Sequence, residues 1–257
     1  MIMEYIFVVG LGMVVGILST VFGLAGGIVM VPGLTLVGIS HLESMASSMG
    51  AIVILTSWNT FMYSRKGLVR WSVVFWIAFG AALFSYTAAR IAPHLPESWL
   101  IMIMMVFLFY IAIRTLMLKT IKPHNPKKRG SRLMPFGIGA ASGTVAGFTG
   151  IGGGGITTPL MLVTGLVKNQ TAAPTANAVM IFTSLAGTLS YAFHGSIHFP
   201  RVGLIHADYS LLMAMGSILS SLIGMRINQT ISLRSRKLVI GIILIFVTLR
   251  LGYELWW

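Results

Sequence analysis

The stretch GIGGGGITTPLM, residues 150–161, decides the fold of this chain, because a closely similar stretch, GLAGGIVMVPGL, occupies residues 23–34. The two stretches share glycines and a proline at matching positions. The matched pairs are Gly23/Gly150, Gly26/Gly153, Gly27/Gly154 and Pro32/Pro159. Neighbouring glycines followed by a proline interrupt a helix. The sequence therefore predicts a duplicated unit of about 127 residues with one broken helix in each half.

The correspondence between the two halves extends beyond the two glycine segments. At the same offset, glycines 10, 12, 16 and 38 fall on glycines 137, 139, 143 and 165. Thr56 and Ser57 fall on Thr183 and Ser184, and after one inserted residue the Tyr63 and Gly67 pair falls on Tyr191 and Gly195. We therefore divide the chain into a first transmembrane repeat (1–118), a basic linker (119–132) and a second transmembrane repeat (133–257).

The composition identifies an all-α polytopic membrane protein. The chain is 56% hydrophobic and only 9% charged, and its apolar runs are long enough to cross a bilayer as helices. The net charge of +13 comes from basic residues between those runs, so it predicts membrane orientation and not nucleic-acid binding. With no cysteine, the chain has neither disulfides nor thiolate metal sites.

The distribution of Lys and Arg predicts how the two repeats are oriented. If each glycine segment crosses the membrane, five segments per half place fifteen of the eighteen Lys/Arg on one side, together with the linker. If each segment only dips into the membrane and returns, twelve of the eighteen Lys/Arg lie on the side of the linker and six on the other side. The stronger bias favours inverted repeats, with both termini outside and residues 119–132 in the cytoplasm. We expect seven to eight clear helices and two short Gly/Pro-broken segments, up to ten crossings in all.

The two broken helices form the predicted substrate site. Freed backbone N–H groups and helix N-terminal dipoles hold an anion without a charged side chain. The backbone residues assigned to this site are Gly26, Gly27, Pro32, Gly153, Gly154, Gly155 and Pro159. The alternative is that these glycines only allow close helix packing. Packing is the preferred interpretation for Gly12-xxx-Gly16 and for Gly139-xxx-Gly143-xxx-Gly147 in the preceding helices.

Hydroxyl and amide side chains behind each glycine segment are predicted to complete the site. Ser47, Ser48, Thr175 and Asn177 are the assigned substrate ligands, and the alignment places Ser47–Ser48 on Pro174–Thr175. Neutral donors of this kind suit an oxyanion. The alternative is that Ser and Thr bond back to carbonyls of their own helix, which is the preferred interpretation for Thr56, Ser57, Thr183 and Ser184.

Five carboxylates are present, and Asp208 alone lies within an apolar run. An intramembrane acid suggests a proton relay. The neighbouring Arg201 and His206 favour instead an interfacial ion pair with Asp208. Arg250 and Glu254, four residues apart, suggest a pair at a helix end. No cofactor or metal site is predicted, and Ser142 lacks a histidine partner, so we predict no enzymatic activity.

The paired glycine segments, the Ser/Thr clusters behind them and the Tyr-then-Gly helix ends resemble the sulfite exporter TauE/SafE family. The resemblance extends from Gly10 to about Gly224. It implies a small transporter, usually counted at seven or eight helices, whose substrates are sulfite, sulfonates and other small sulfur-containing or organic anions. We expect alternating access in a prokaryotic plasma (inner) membrane. A channel-like anion pathway and a membrane scaffold stay open as alternatives, as does a homodimer.

Overall fold

The computed structural model describes residues 2–22, 26–117, 133–195, 197–198, 200–230, 242 and 244–252. The linker 119–132, residues 23–25 of the first glycine segment and Glu254 lie outside the described residues. The first five helices are α1 (Ile2–Phe22), α2 (Gly27–Thr35), α3 (His41–Arg65), α4 (Trp71–Ile91) and α5 (Glu97–Met117). The later helices are α6 (Leu133–Thr149), α7 (Gly154–Val163), α8 (Asn169–Ala192), α9 (Ala207–Thr230) and α10 (244–252).

A small β-sheet joins α8 to α9. Its strands are β1 (Ile197–His198), β2 (Arg201–Val202) and β3 (Ile205–His206), paired antiparallel in the order β1-β2-β3. β-Branched residues in each strand favour extended backbone, and Gly203, with a φ of +60°, makes the second turn. These three short strands leave the predicted class, an all-α membrane protein, unchanged.

The described helices have the length and composition of membrane helices. Four are long and apolar enough to cross a bilayer, namely Met3–Val21, Trp71–His94, Gln170–Ala192 and Ala207–Ile227. Large apolar side chains such as Phe75, Phe79 and Leu249 are exposed on the outer surface, as contact with lipid requires. α3 carries several hydroxyls and one amide, and most of its residues are buried among the other helices. The total number of crossings stays a prediction.

Glycines bring α1 and α9 into backbone contact. A Cβ added to Gly12 would collide with the backbone of Met213, and one added to Gly16 would collide with Ser217. Ser217 Oγ also donates to the carbonyl oxygen of Gly12 at 2.9 Å. Contacts advance along both helices in the same direction, so α1 and α9 are parallel. The predicted packing role of Gly12 and Gly16 is confirmed.

The α4–α6 pair packs in the same manner. A Cβ on Gly139 would collide with Ile77, one on Gly143 with Ala81, and one on Gly147 would lie 2.6 Å from the carbonyl oxygen of Ser85. These contacts also advance in one direction, so α4 and α6 are parallel. The packing prediction for the second set of glycines is confirmed as well.

α3 and α8 cross in the buried centre and run antiparallel. At one end of the crossing the Sδ of Met49 packs against Gly187. At the other end Asn59 Nδ2 donates to Asn177 Oδ1 at 3.2 Å. Both helices therefore supply core surface and the polar groups nearest the predicted site.

The two ends of the helix assembly carry different charges. Glu4, Glu43, Glu97 and Asp208 all lie in the first turn of α1, α3, α5 and α9. Contacts between those first turns, such as the bond from the backbone N–H of His41 to Glu97, bring them to one end. The opposite end carries Arg65, Lys66, Arg70 and Lys168 and, among its described residues, no carboxylate.

Candidate functional site

The two glycine segments meet inside the protein. A Cβ added to Gly27, the first residue of α2, would lie 2.5 Å from both the carbonyl oxygen of Gly150 and the Cα of Ile151. Gly150 and Ile151 follow α6 and lead into α7, and all three residues are buried. The beginning of α2 therefore packs directly on the segment that leads into α7.

The second glycine segment interrupts the helix as the sequence predicted. α6 ends at Thr149 and α7 begins at Gly154. Between them Gly150, Gly152 and Gly153 have φ values of +69°, +81° and +83°, which other residues rarely adopt. A Cβ at Gly150 would lie 2.6 Å from the Cα of Met45, so this position needs glycine for space as well. Gly155 and Pro159 lie within α7, and Pro32 lies within α2.

The N-termini of α2 and α7 are buried without a capping side chain. Their N-cap residues are Gly26 and Gly153, which have no side chain to accept from the first amides, and α4 and α8 also begin without a side-chain cap. By contrast, α3 begins at a Ser40 side chain that accepts from the Glu43 amide at 3.3 Å. The first amides of a helix have no partner within it, and their dipole favours negative charge. Two such ends in a buried region form an arrangement suited to an anion.

Ser48 ties α3 to the second glycine segment. Its Oγ lies 2.8 Å from the carbonyl oxygen of Gly150 and 2.9 Å from that of Met45, and it donates to these acceptors. Neighbouring Ser47 bonds elsewhere, since its Oγ accepts from the backbone N–H of His206 at 2.9 Å. Both residues are fully buried. Ser48 therefore positions the glycine backbone, while Ser47 anchors the start of α9.

Thr175 makes the same kind of contact as Ser47. Its Oγ1 accepts from the backbone N–H of Arg70, the N-cap residue of α4, at 3.2 Å. The sequence alignment matched Ser48 with Thr175, whereas the contacts match Ser47 with Thr175. His41 and Asn169, the first residues of α3 and α8, are already separated by the repeat offset plus the inserted residue. The inserted residue of the second repeat therefore lies before α8.

Asn177 is fully buried and is held by two hydrogen bonds. Its Nδ2 donates to the carbonyl oxygen of Ala173 at 2.9 Å, and its Oδ1 accepts from Asn59. Asn59 is also fully buried, and its Oδ1 has no hydrogen-bond partner in the described residues. Asn59 was not among the site residues predicted from the sequence. A buried amide on a helix with hydroxyls on both sides was the available signal.

Arg250 contacts the far end of α2. Its guanidinium donates to the carbonyl oxygen of Pro32 and, at 3.3 Å, to Thr35 Oγ1. The last carbonyls of a helix lack intrahelical donors, and a cation is favourable there. Arg250 therefore caps α2, a role that the predicted pairing with Glu254 did not include.

Asp208 lies in the first turn of α9, half-buried, at the end of the assembly that carries the carboxylates. Tyr5 donates its hydroxyl to Asp208 Oδ2 at 3.5 Å. The predicted ion pair with Asp208 is replaced by a pair with Glu43. Arg201 and His206 lie 3.3 Å and 3.5 Å from the two carboxylate oxygens of Glu43. The β2–β3 turn places them over the start of α3. A proton relay at Asp208 stays a prediction.

Several hydroxyls near the crossing bond back to their own helix. Thr56 donates to Ile52, Ser57 to Val53 and Thr183 to Val179, which is the interpretation preferred from the sequence. Ser142 likewise donates to the carbonyl oxygen of Gly139 at 3.0 Å. Among the described residues, no three His, Asp or Glu side chains are grouped to hold a metal.

Helices with an apolar outer surface, interrupted at two buried and uncapped N-termini, define an integral membrane protein with the features of a transporter. Comparison of the sequence with known protein families identifies the family. The model of the sulfite exporter TauE/SafE family matches residues 8–251, and the chain belongs to this family.

The chain is also similar to several curated proteins, each named "Probable membrane transporter protein". It is 27% identical over 243 residues to one from Methanocaldococcus jannaschii, covering 91% of this chain and 90% of the relative. It is 22% identical over 281 residues to one from Bacillus subtilis, covering 98% of both chains. The match in Haemophilus influenzae is 28% identical over 196 residues, with 70% and 69% covered. No solved structure matches the chain significantly.

Proposed function

We propose that the chain transports a small anion across the membrane, by alternating access around a site between the N-termini of α2 and α7. Sulfite, a sulfonate or a related sulfur-containing or organic anion is the proposed substrate, in keeping with the family description. The observation that carries the proposal is the buried contact of Gly27 with Gly150 and Ile151, which places the start of α2 on the segment that leads into α7. Backbone amides there would bind the anion, and Asn177 and Thr175 would line its path.

Paired hydrogen bonds support a duplicated architecture. Tyr63 donates its hydroxyl to the carbonyl oxygen of Thr20 at 3.1 Å. Tyr191 donates to that of Gly147 at 2.6 Å. The repeat offset aligns Thr20 with Gly147. With the one inserted residue added, the same offset aligns Tyr63 with Tyr191. The two hydrogen bonds therefore occupy equivalent places in the proposed repeats. The glycine contacts of α1 with α9 correspond in the same way to those of α6 with α4.

The direction of α3 and α8 supports an inverted relation between the repeats. These two helices hold equivalent positions, and they run antiparallel because Met49 meets Gly187 and Asn59 meets Asn177. Equivalent helices of opposite direction are related by an axis in the membrane plane. We propose five segments per half, with alternating access arising from motion of one half against the other.

The charges at the two ends support an orientation. Basic residues collect at the end where α3 finishes and α8 begins, and the linker is connected to that end. We place that end in the cytoplasm of a prokaryotic cell, by the positive-inside rule, and the carboxylate end with both termini outside.

Anion binding to the purified protein tests the proposal. Thermal unfolding would be followed with sulfite, sulfate, thiosulfate, taurine, sulfoacetate, acetate and chloride, because a ligand that binds the folded state raises its stability by mass action. We expect a selective rise with one sulfur anion that is lost in Asn177→Ala. Thr56→Ala, which removes a hydroxyl bonded to its own helix, is the matched control and should keep the rise.

Flux measurements separate transport from the alternatives. In proteoliposomes, accumulation of the bound anion above its external concentration under an applied ion gradient supports alternating access. Flux that only equilibrates the anion supports a channel-like pathway. Selective binding without any flux contradicts the transport proposal and favours a scaffold.

A further inference from the structure

Two backbone contacts hold equivalent places at the two ends of the helix assembly. At the carboxylate end, Ser47 Oγ accepts from the backbone N–H of His206, the residue that immediately precedes α9. At the basic end, Thr175 Oγ1 accepts from the backbone N–H of Arg70, the residue that precedes α4. The repeat offset with the inserted residue relates Ser47 to Thr175. The same place therefore holds a permanent cation at the basic end and a titratable side chain at the carboxylate end.

His206 has the surroundings of a residue that binds a proton. Its side chain is buried, and its Nε2 lies 3.5 Å from one carboxylate oxygen of Glu43. The other oxygen of Glu43 lies 3.3 Å from the exposed guanidinium of Arg201. A neighbouring carboxylate favours the charged form of an imidazole. Glu43 and Arg201 cancel each other's charge, so a proton on His206 gives the three residues a net charge of one.

Other charged and titratable groups surround His206. The ring of Tyr209 lies 5.6 Å from the imidazole, measured between ring centroids. The further groups at this end are Asp208 in α9, Glu4 and Tyr5 in α1, His41 in α3, Glu97 in α5 and His198, which pairs with Arg201 in the sheet. Neither ring nitrogen of the buried His41 has a partner among the described residues, whereas His206 faces a carboxylate. His206 is therefore the histidine with the clearest basis for binding a proton.

α3 connects this cluster to the contact between the glycine segments. Glu43 precedes Ser47 by one helical turn, and the adjacent Ser48 donates to the carbonyl oxygen of Gly150 at 2.8 Å. Because one turn of α3 contacts both groups, the imidazole of His206 and an anion beside Gly150 would be roughly 10–15 Å apart. Opposite unit charges at that separation, at an effective dielectric constant of about 20, attract enough to change an affinity about tenfold.

We propose that His206 binds the coupling proton of this transporter, with Glu43 as the counter-ion. The inference rests on the proposed anion transport and names the proton as the ion that drives it. The imidazolium and the anion each raise the protein's affinity for the other, so the two bind together. Arg70 supplies the corresponding charge permanently, which leaves only the carboxylate end dependent on pH. A proton gradient then drives the anion in the direction in which protons move.

Proton uptake during anion binding tests this inference. The full-length protein in detergent would be titrated by calorimetry with sulfite, sulfate, thiosulfate, taurine, sulfoacetate, acetate and chloride, in buffers of different ionisation heat. Sulfite exchanges a proton of its own near neutral pH, so the measured quantity is the difference between wild type and His206→Asn. This substitution keeps the backbone bond to Ser47. We expect proton uptake and an affinity about tenfold higher at about pH 6 than at about pH 8 in the wild type, and neither difference in His206→Asn.

Three further variants sharpen the assignment. Glu43→Gln removes the counter-ion, so the change in anion affinity should move to lower pH. His194→Asn is the matched control and should keep proton uptake, because this half-buried histidine at the same end has its Nδ1 2.9 Å from the carbonyl oxygen of Ser190. Uptake that is lost in Asp208→Asn and kept in His206→Asn assigns the proton to Asp208 and overturns the inference.

The remaining outcomes separate this inference from the proposed function. Anion binding without proton uptake or pH dependence in the wild type overturns the inference and leaves anion transport intact. Binding of no anion overturns both. If His206→Asn does not fold, the wild-type titrations and the shift in Glu43→Gln still decide the inference.

Flux measurements test the coupling itself. In proteoliposomes loaded at neutral pH and placed in acidic medium, the wild type should accumulate the bound anion, and a protonophore should abolish the accumulation. His206→Asn should only equilibrate the anion, whereas His194→Asn should behave as the wild type. Equal accumulation by wild type and His206→Asn would overturn the inference.

Discussion

The two ends of the α3–α8 crossing differ in chemistry although they hold equivalent places in the proposed repeats. At one end Met49 packs on Gly187, and at the other Asn59 bonds to Asn177. The offset between α3 and α8 relates Met49 to Asn177 and Asn59 to Gly187. Divergence of the proposed repeats therefore gives one end a thioether contact and the other a pair of amides, and the hydroxyls of Ser48 and Ser85 make the first end polar as well.

The largest expected effect comes from filling the contact that the two glycine segments share. In Gly27→Ala the new methyl group would lie 2.5 Å from the Gly150 backbone, so the segments must separate. We expect a loss of about 1–3 kcal/mol in unfolding free energy and loss of anion binding. Thermal unfolding with and without anion measures both.

Gly10→Ala is the control for this substitution. Gly10 lies in α1, and a Cβ there meets nothing within 4 Å. It should leave stability and binding unchanged. Wild-type anion affinity in a folded Gly27→Ala protein would mean that the two segments pack together without forming the site.

The next effect concerns a hydroxyl that only one half has. Ser48 donates to the Gly150 carbonyl, whereas the equivalent position of α8 holds Ala176. Ser48→Ala should cost about 1–3 kcal/mol, because it leaves a buried carbonyl without its donor. It should also weaken anion binding, because Gly150 loses its support. Thermal unfolding and anion titration of the purified variant check the two effects.

Ser57→Ala provides the comparison for this variant. The Ser57 hydroxyl bonds to Val53 of its own helix and is exposed, so its loss should have little effect. Unchanged stability and binding in Ser48→Ala would show that the second glycine segment does not depend on α3.

The smallest effects test whether the two halves are equivalent. Tyr63→Phe and Tyr191→Phe each remove one buried hydroxyl that donates to a carbonyl at a helix end. Each should lower the unfolding free energy by about 1 kcal/mol, by nearly the same amount, and the double variant should show the sum. Denaturation of the three variants in one detergent measures this. A large effect from one tyrosine and none from the other would contradict the proposed equivalence.

Local features of the structure could be predicted from the sequence. The break between α6 and α7 follows from glycine and proline chemistry, and the Gly12 and Gly139 packing faces follow from their spacing along a helix. The small sheet at 197–206 was missed because its strands have only two residues each, too few for an alternating pattern.

Contacts between distant helices could not be predicted in the same way. Asn59 and Asn177 are far apart in the chain, and so are Arg250 and Pro32. Which residues become partners depends on how the helices are rotated and shifted against each other. A single inserted residue changes both the rotation and the shift. The match of Thr175 with Ser48 in place of Ser47 failed for that reason. Arg201 was assigned to nearby Asp208, although the fold brings it to Glu43.

The most direct test of an anion site between the broken helices is an experimental structure with selenite, a heavier analogue of sulfite, located by its anomalous scattering. We predict one peak between the N-termini of α2 and α7, close to Gly27 and Gly150. Peaks confined to the basic surface at Arg65 and Lys66 would contradict the site that we propose.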